Sequence, residues 1–238
     1  MSSNLQQPDG FTEGKIVLID KPYGWTSYNV VSKIRHLLKR YKGLRNIKVG
    51  HAGTLDPLAT GLLVICIGKA TKQVNTLIAD DKEYIAKFRL GETTPSFDLE
   101  TQCDQQYPTG HITRERVDQA IRQLLGDQMQ VPPLFSAKSV QGKRAYKFAR
   151  KGVEMELDPV PIRINSMEVI EFELPFLTVK INCSKGTYIR ALARDIGRAL
   201  DSGAHLVELH RTGSGPFSVT EAISLENFEK NLMDDVTN

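Results

Sequence analysis

The sequence predicts an α+β protein whose core is a large mixed or antiparallel sheet flanked by helices. Three features predict it. Strand-like runs and helix-like stripes follow one another along the 238 residues without the regular spacing of βαβ units. Several of the strand runs alternate apolar and polar side chains, the mark of a sheet with one buried face. Hydrophobic residues make up 40% of the chain, and a chain of this length buries roughly 70–75% of its unfolded surface. A core of that size forms without disulfides or metals.

Taken in order, KIVLID (15–20) reads as a short buried strand that runs into the turn KPYGWTS. Thr26 or Ser27 then caps a helix over about 28–41, with Val30, Val31, Ile34, Leu37, Leu38 and Tyr41 on one stripe of period 3.6. LLVICIG (62–68) is a strand buried on both faces, and EYIAKFRLG (83–91) buries Tyr84, Ala86, Phe88 and Leu90 on one face. Residues 92–110 are polar, contain Pro95, Pro108 and Gly110, and read as loop. A helix starts at Thr113, with Val117, Ile121, Leu124 and Leu125 on its apolar stripe and Gly126 as its stop. Strand-like runs fill 159–174 and LTVKINCS (177–184), and the latter leads into the amphipathic helix YIRALARDIGRAL.

Composition excludes several classes. Cys66, Cys103 and Cys183 are widely separated and form no C-x-x-C, so nothing suggests a disulfide framework or a zinc site; Cys66 and Cys183 read as buried thiols. The polar N-terminus lacks the apolar core of a secretory signal. The longest apolar run falls far short of the roughly 20 residues that span a bilayer, so a cytoplasmic protein without a membrane partner is expected. GLLVICIGKAT superficially suggests a phosphate loop, but six residues separate Gly61 from Gly68 and Ala70 follows Lys69, so the spacing fails.

The net charge is only +3, but it is unevenly placed. Between Asp20 and Asp80 the chain carries ten Lys and Arg and a single acid, Asp56, in the stretch GHAGTLDPLATG (50–61). Asp56 before Pro57 is either the N-cap of a helix or the reactive carboxylate of a site that binds an anion. Basic surroundings favour an anionic side chain there, as a nucleophile requires. Segment 134–152 has six Lys and Arg, no acid, and Phe135, Tyr146 and Phe148 interleaved. It is a solvated face or an RNA-tracking surface, and the charge pattern favours RNA. Tyr84 reads by default as a core aromatic. Arg190 is a surface residue or a partner that orients a carboxylate.

Together these pieces resemble one family, the TruB-type tRNA pseudouridine synthases, over about residues 14–225. GKIVLIDKPYGWTSYNVV is similar to the family's first motif, and KVGHAGTLDPLATGLLVICIGKATK to its second. KEYIAKFRLG resembles the motif that holds the active-site tyrosine. PPLFSAKSVQGKRAYKFARKG resembles the RNA-gripping insertion, with Phe135 where Tyr is usual. CSKGTYIRALARDIG and GAHLVELHRT resemble the remaining two. Each motif is weak alone; six in order are specific.

The resemblance implies the pseudouridine synthase fold and an isomerase that converts the T-loop uridine at position 55 of tRNA to pseudouridine. The uracil is detached from its ribose and rejoined through C5. Asp56 would be the nucleophile, with attack at the sugar C1′, attack at the base C6 and assistance to elimination all left open. Tyr84 would stack on the extruded base, and Arg190 would pair with the Asp56 carboxylate. His51 would help hold the flipped-out loop, while Tyr188, Leu209 and Lys21 would line the pocket. Lys138, Lys143, Arg144, Lys147 and Arg150 would grip RNA. The glycines of 50–61 would let backbone approach the flipped nucleotide, and Pro57 would fix the turn that presents Asp56.

The implied domain is 11–225, with an RNA-gripping insertion at about 132–158. Residues 226–238 are expected to form a short acidic tail, with no C-terminal PUA domain. No cofactor or metal is expected, the partner is the T arm of tRNA, and a monomer is expected. Two rivals stand: a non-catalytic RNA-binding or tRNA-folding module, and a guide-dependent synthase, which would carry the PUA domain. The loop ETTPSFDLET (92–101) departs from the Asp-rich form common in the family.

Overall fold

The computed structural model describes residues 10–136, 139–140, 143–144 and 157–237. In chain order the elements begin with α1 (Gly10–Gly14), β1 (Lys15–Lys21), α2 (Ser27–Lys42), β2 (Val49–His51), β3 (Ala59–Ile67) and α3 (Val74–Ala79). There follow β4 (Lys82–Leu90), β5 (Glu92–Thr93), β6 (Gln105–Gln106), α4 (Arg114–Gln123), β7 (Gly126–Gln130), β8 (Ser139–Val140) and β9 (Lys143–Arg144). The last are β10 (Val160–Glu173), β11 (Phe176–Cys183), α5 (Ile189–Ala199), β12 (Ala204–Ser214), β13 (Phe217–Ser218) and α6 (Leu225–Thr237). They form two compact units, one from the described residues up to Lys82 together with those from His210 onward, the other from Glu83 to Leu209. The class is α+β, as expected.

In the first unit β1 pairs antiparallel with β3 along its whole length, from Lys15 opposite Ile67 to Lys21 opposite Gly61, and β2 lies antiparallel to the last residues of β3. Strand β3 is buried almost throughout, which explains its uninterrupted apolar run. Thr26 caps α2, accepting from the Asn29 amide while the Asn29 side chain accepts from the Thr26 amide. Val30, Val31, Ile34, Leu37 and Leu38 are buried, and Gly43 ends the helix in the left-handed conformation.

The segment expected to be an acidic tail is the helix α6. Its Phe228 and Leu232 enter the same core as Phe11 and the α2 stripe, with the Phe228 ring edge-on to Phe11 at 6.5 Å. Glu229 takes Lys33 at 3.0 Å and the Tyr41 hydroxyl at 3.1 Å. The acids line the solvent face of an amphipathic helix, whose apolar stripe is sparse enough to escape notice among them.

In the second unit the strand order is β4-β11-β10-β7. Tyr84, Ala86, Phe88 and Leu90 of β4 and Leu177, Val179, Ile181 and Cys183 of β11 are buried in strict alternation, as their spacing predicts. Thr113 caps α4, but the helix stops at Gln123 and leaves Leu125 exposed, because Gly126 opens β7 rather than closing the helix. The 92–110 stretch holds the two-residue strands β5 and β6 and a buried polar knot around Asp98.

Candidate active site

In the first unit the chain must cross from β2 to β3 through residues 52–58, and Asp56 sits in that crossing. The Ala59 amide donates to the Asp56 carbonyl at 3.1 Å, which closes a β-turn with Pro57 in its second position. Asp56 therefore opens a turn, not a helix, and strand begins two residues after Pro57. Both neighbours of Asp56 are tied down. The Leu55 amide donates to Ser27 Oγ at 2.9 Å, and that hydroxyl donates back to the Leu55 carbonyl at 3.1 Å. The Pro57 carbonyl accepts from the Gly24 amide at 2.9 Å and from Lys21 Nζ at 3.3 Å.

Two buried cations surround this crossing. Lys21 is fully buried, and its ammonium also donates to the carbonyls of Trp25 at 2.6 Å and Pro22 at 3.0 Å. Burial pulls its pKa down to about 8, with the charge of Asp56 opposing the fall and that of Arg211 adding to it. Arg211, only 1% exposed, donates through Nε to the Leu62 carbonyl at 2.6 Å and through Nη2 to the Gly53 carbonyl at 3.2 Å. One guanidinium thus clasps both ends of the segment that carries Asp56.

That clasp corrects the expected role of two glycines. Gly61 lies at φ +95°, and a Cβ there would stand 2.4 Å from the Arg211 carbonyl oxygen. Gly53 lies at φ +101°, and its Cβ would stand 3.4 Å from Arg211 Nη1. The close approach these glycines permit is to the protein's own β12 and its arginine. His51 is half-buried, and its pKa lies below the usual value through burial and then the charge of Arg211, so it is neutral at pH 7. The Gly53 backbone favours the protonated ring and offsets the fall only in part.

The second unit holds the other expected residues. Tyr84 is buried on β4 and Leu209 is half-buried near the middle of β12. Tyr188 stands at the cap position of α5, where the Gln130 side chain grips its backbone: the Tyr188 amide donates to Oε1 at 2.9 Å and Nε2 donates to the Tyr188 carbonyl at 3.2 Å. Two residues on, Arg190 is buried. Its Nε lies 3.4 Å from an oxygen of Asp98, and Nη1 donates to the carbonyls of Phe135 at 2.9 Å and Ser96 at 3.3 Å. Asp98 is itself held by the Glu100 amide at 2.9 Å.

Sequence reasoning assigned no role to Asp98, Gln130 or Arg211. Arg211 lay inside a motif quoted for the resemblance, and Asp98 inside the loop noted as divergent, so position alone could have drawn attention to both. Lys138, Lys147 and Arg150 lie outside the described residues. Lys143 and Arg144 form β9, whose backbone pairs antiparallel with β8. Among the described residues no group of His, Cys, Asp and Glu is arranged to hold a metal, and no helix is long and apolar enough to cross a membrane. A cleft of about 560 Å³ opens at the far end of β3 from Asp56, with Arg45, Lys48, Lys69 and Lys72 among its lining residues.

Comparison with known proteins decides the family. Residues 39–189 match the TruB family pseudouridylate synthase (N terminal domain), and 190–236 match the tRNA pseudouridylate synthase B C-terminal domain. The chain belongs to the TruB family. A relative from Phocaeicola vulgatus, tRNA pseudouridine synthase B, is 54% identical over 92% of this chain and 93% of its own length. The protein of the same name from Flavobacterium johnsoniae is 46% identical over 94% of this chain and 99% of its own. Among solved structures, a chain of a Cbf5-Nop10-Gar1 complex superposes with a TM-score of 0.70 at 32% identity. That match covers 92% of this chain and 54% of the other. TruB-family membership fits the pseudouridine synthase fold expected from the motifs.

Proposed function

We propose that Asp56 is the nucleophile that detaches uracil from its ribose in the T loop of tRNA. Family membership makes the chain a tRNA pseudouridine synthase, an isomerase that converts uridine to pseudouridine; the proposal concerns how and where. In that reaction the C1′–N1 bond breaks and a C1′–C5 bond forms, while C5 gives up a proton and N1 gains one. The observation that carries the reading is the Asp56 turn, anchored on both flanks and accompanied by two buried cations. A turn whose backbone is held so firmly preorganises the carboxylate it carries.

The other assignments belong to the same proposal. Tyr84 stacks on the extruded uracil, whose flipping costs a few kcal/mol. Arg190 serves the same chemistry, with Asp98 fixing its guanidinium. His51, on the strand that leads into the Asp56 crossing, helps hold the flipped-out loop. Tyr188, Leu209 and Lys21 shape the pocket. Lys138, Lys143, Arg144, Lys147 and Arg150 grip the RNA backbone, and the cationic rim of the cleft beyond β3 suits the same polyanion. The protein acts in the cytoplasm as a monomer, without a cofactor, within a catalytic domain spanning 11–225 whose core α6 completes. Incubation with unmodified tRNA, followed by mapping of pseudouridine, is expected to give one modified site at position 55. Modification elsewhere, or none, overturns the reading.

A further inference from the structure

The segment that anchors Asp56 carries three aromatic residues, and they are disposed differently. Trp25 packs against the core of the first unit. Tyr23 is 60% exposed and Tyr28 67% exposed. Among the described residues neither tyrosine has a hydrogen bond, ion pair or ring contact, whereas Tyr41 on the same helix bonds Glu229. Each exposed ring also adjoins an anchor of the catalytic turn. Tyr23 precedes Gly24, which donates to Pro57; Tyr28 follows Ser27, which is bonded to Leu55. The backbone that presents the two rings is therefore fixed to the residues on either side of Asp56.

We infer that Tyr23 and Tyr28 form a stacking platform for unpaired RNA bases that flank the target uridine. This rests on the reading of Asp56 as the reactive group on an RNA loop. RNA loops are read largely through bases splayed onto aromatic faces. Lys21, whose ammonium is bonded to the carbonyls of Pro22 and Trp25 on either side of Tyr23, places a buried cation beside the segment and favours a polyanion there. A tyrosine ring has only two side-chain torsions to fix when a base settles on it, which suits both residues to binding.

The test uses Tyr23→Ala, Tyr28→Ala and the Phe variants of both, with a T-arm stem-loop and a series in which each loop base is removed in turn. Each Ala variant is expected to loosen the dissociation constant roughly five- to one-hundred-fold, the range of base–aromatic stacking. Each Phe variant should stay near wild type, because the ring does the stacking. Removing the base that meets a ring should weaken the wild type but weaken the matching Ala variant no further. Equal losses at every position, or wild-type affinity in the Ala variants, overturn the platform. Loss of self-association with RNA affinity unchanged would make the rings a contact between copies, and also overturns it. Pseudouridine formation by the wild type on the same stem-loop is scored separately. If it is present while the Ala variants bind normally, only the platform fails; if it is absent, the proposed function fails and the platform with it.

Discussion

The two units keep their buried cations in opposite ways. In the second unit Arg190 faces the carboxylate of Asp98 at 3.4 Å, with both side chains nearly out of water. In the first unit Lys21 and Arg211 are buried at least as deeply, and the hydrogen bonds of both go to backbone carbonyls. The charge of Asp56 reaches Lys21 only through space. A neutralised pair holds shape and projects little field. Cations solvated by carbonyls hold shape as well, and leave positive potential in the unit that carries Asp56. The first arrangement fixes a guanidinium in position, and the second suits a site for a polyanion.

The largest effect should come from breaking the first unit's chemistry without its shape. Asp56→Asn keeps the turn, because the turn uses the Asp56 carbonyl. It is expected to abolish pseudouridine formation in a tRNA assay while leaving tRNA affinity near wild type. Turnover close to wild type would remove Asp56 from the nucleophile's role.

Next comes the Arg190–Asp98 pair. Asp98→Ala strands the Arg190 guanidinium in a dry environment and should cost about 3–5 kcal/mol, the usual penalty for removing one partner of a buried pair. Urea denaturation reads it directly. A loss below about 1 kcal/mol, the range of exposed pairs, would mean that the Arg190–Asp98 contact is not the buried ion pair described here.

The smallest effect is a slope. The unfolded chain holds the Lys21 proton up to the usual 10.5, whereas the folded chain releases it near 8. Between those values the unfolded state binds more protons, so folded-state stability rises with pH across that window and the burden is greatest below it. Denaturation from pH 7 to 10 should show this rise in the wild type and a shallower one in Lys21→Met. Equal slopes would show that burial does not depress this lysine.

How much of this could be read in the sequence differs by residue. Strands β3, β4 and β11 and helix α2 were legible because burial imposes periodicity, and Val30 to Leu38 or Tyr84 to Leu90 display it openly. The Asp56 turn was half legible. Pro57 announced a turn, but whether a helix followed depended on β3 starting at Ala59, a matter of tertiary pairing. The roles of Gly53 and Gly61 were misread because the atoms that crowd them belong to Arg211, about 150 residues away in the chain. The roles of Asp98 and Gln130 could not be assigned for a related reason. A polar residue in a polar stretch carries no periodic signal, and only the fold shows that the stretch is buried.

The division of the chain has a consequence for its synthesis. Everything the second unit needs lies between Glu83 and Leu209, whereas the first unit is interrupted and waits for Arg211, Phe228 and Leu232. On the ribosome the middle of the chain has all its partners before the beginning does. The N-terminal strands are made first and finished last, and until α6 arrives β1, β3 and α2 offer an apolar face with nothing to cover it. A chaperone that attends this protein during translation has its client in the first eighty or so residues, the same ones that later carry the reactive turn.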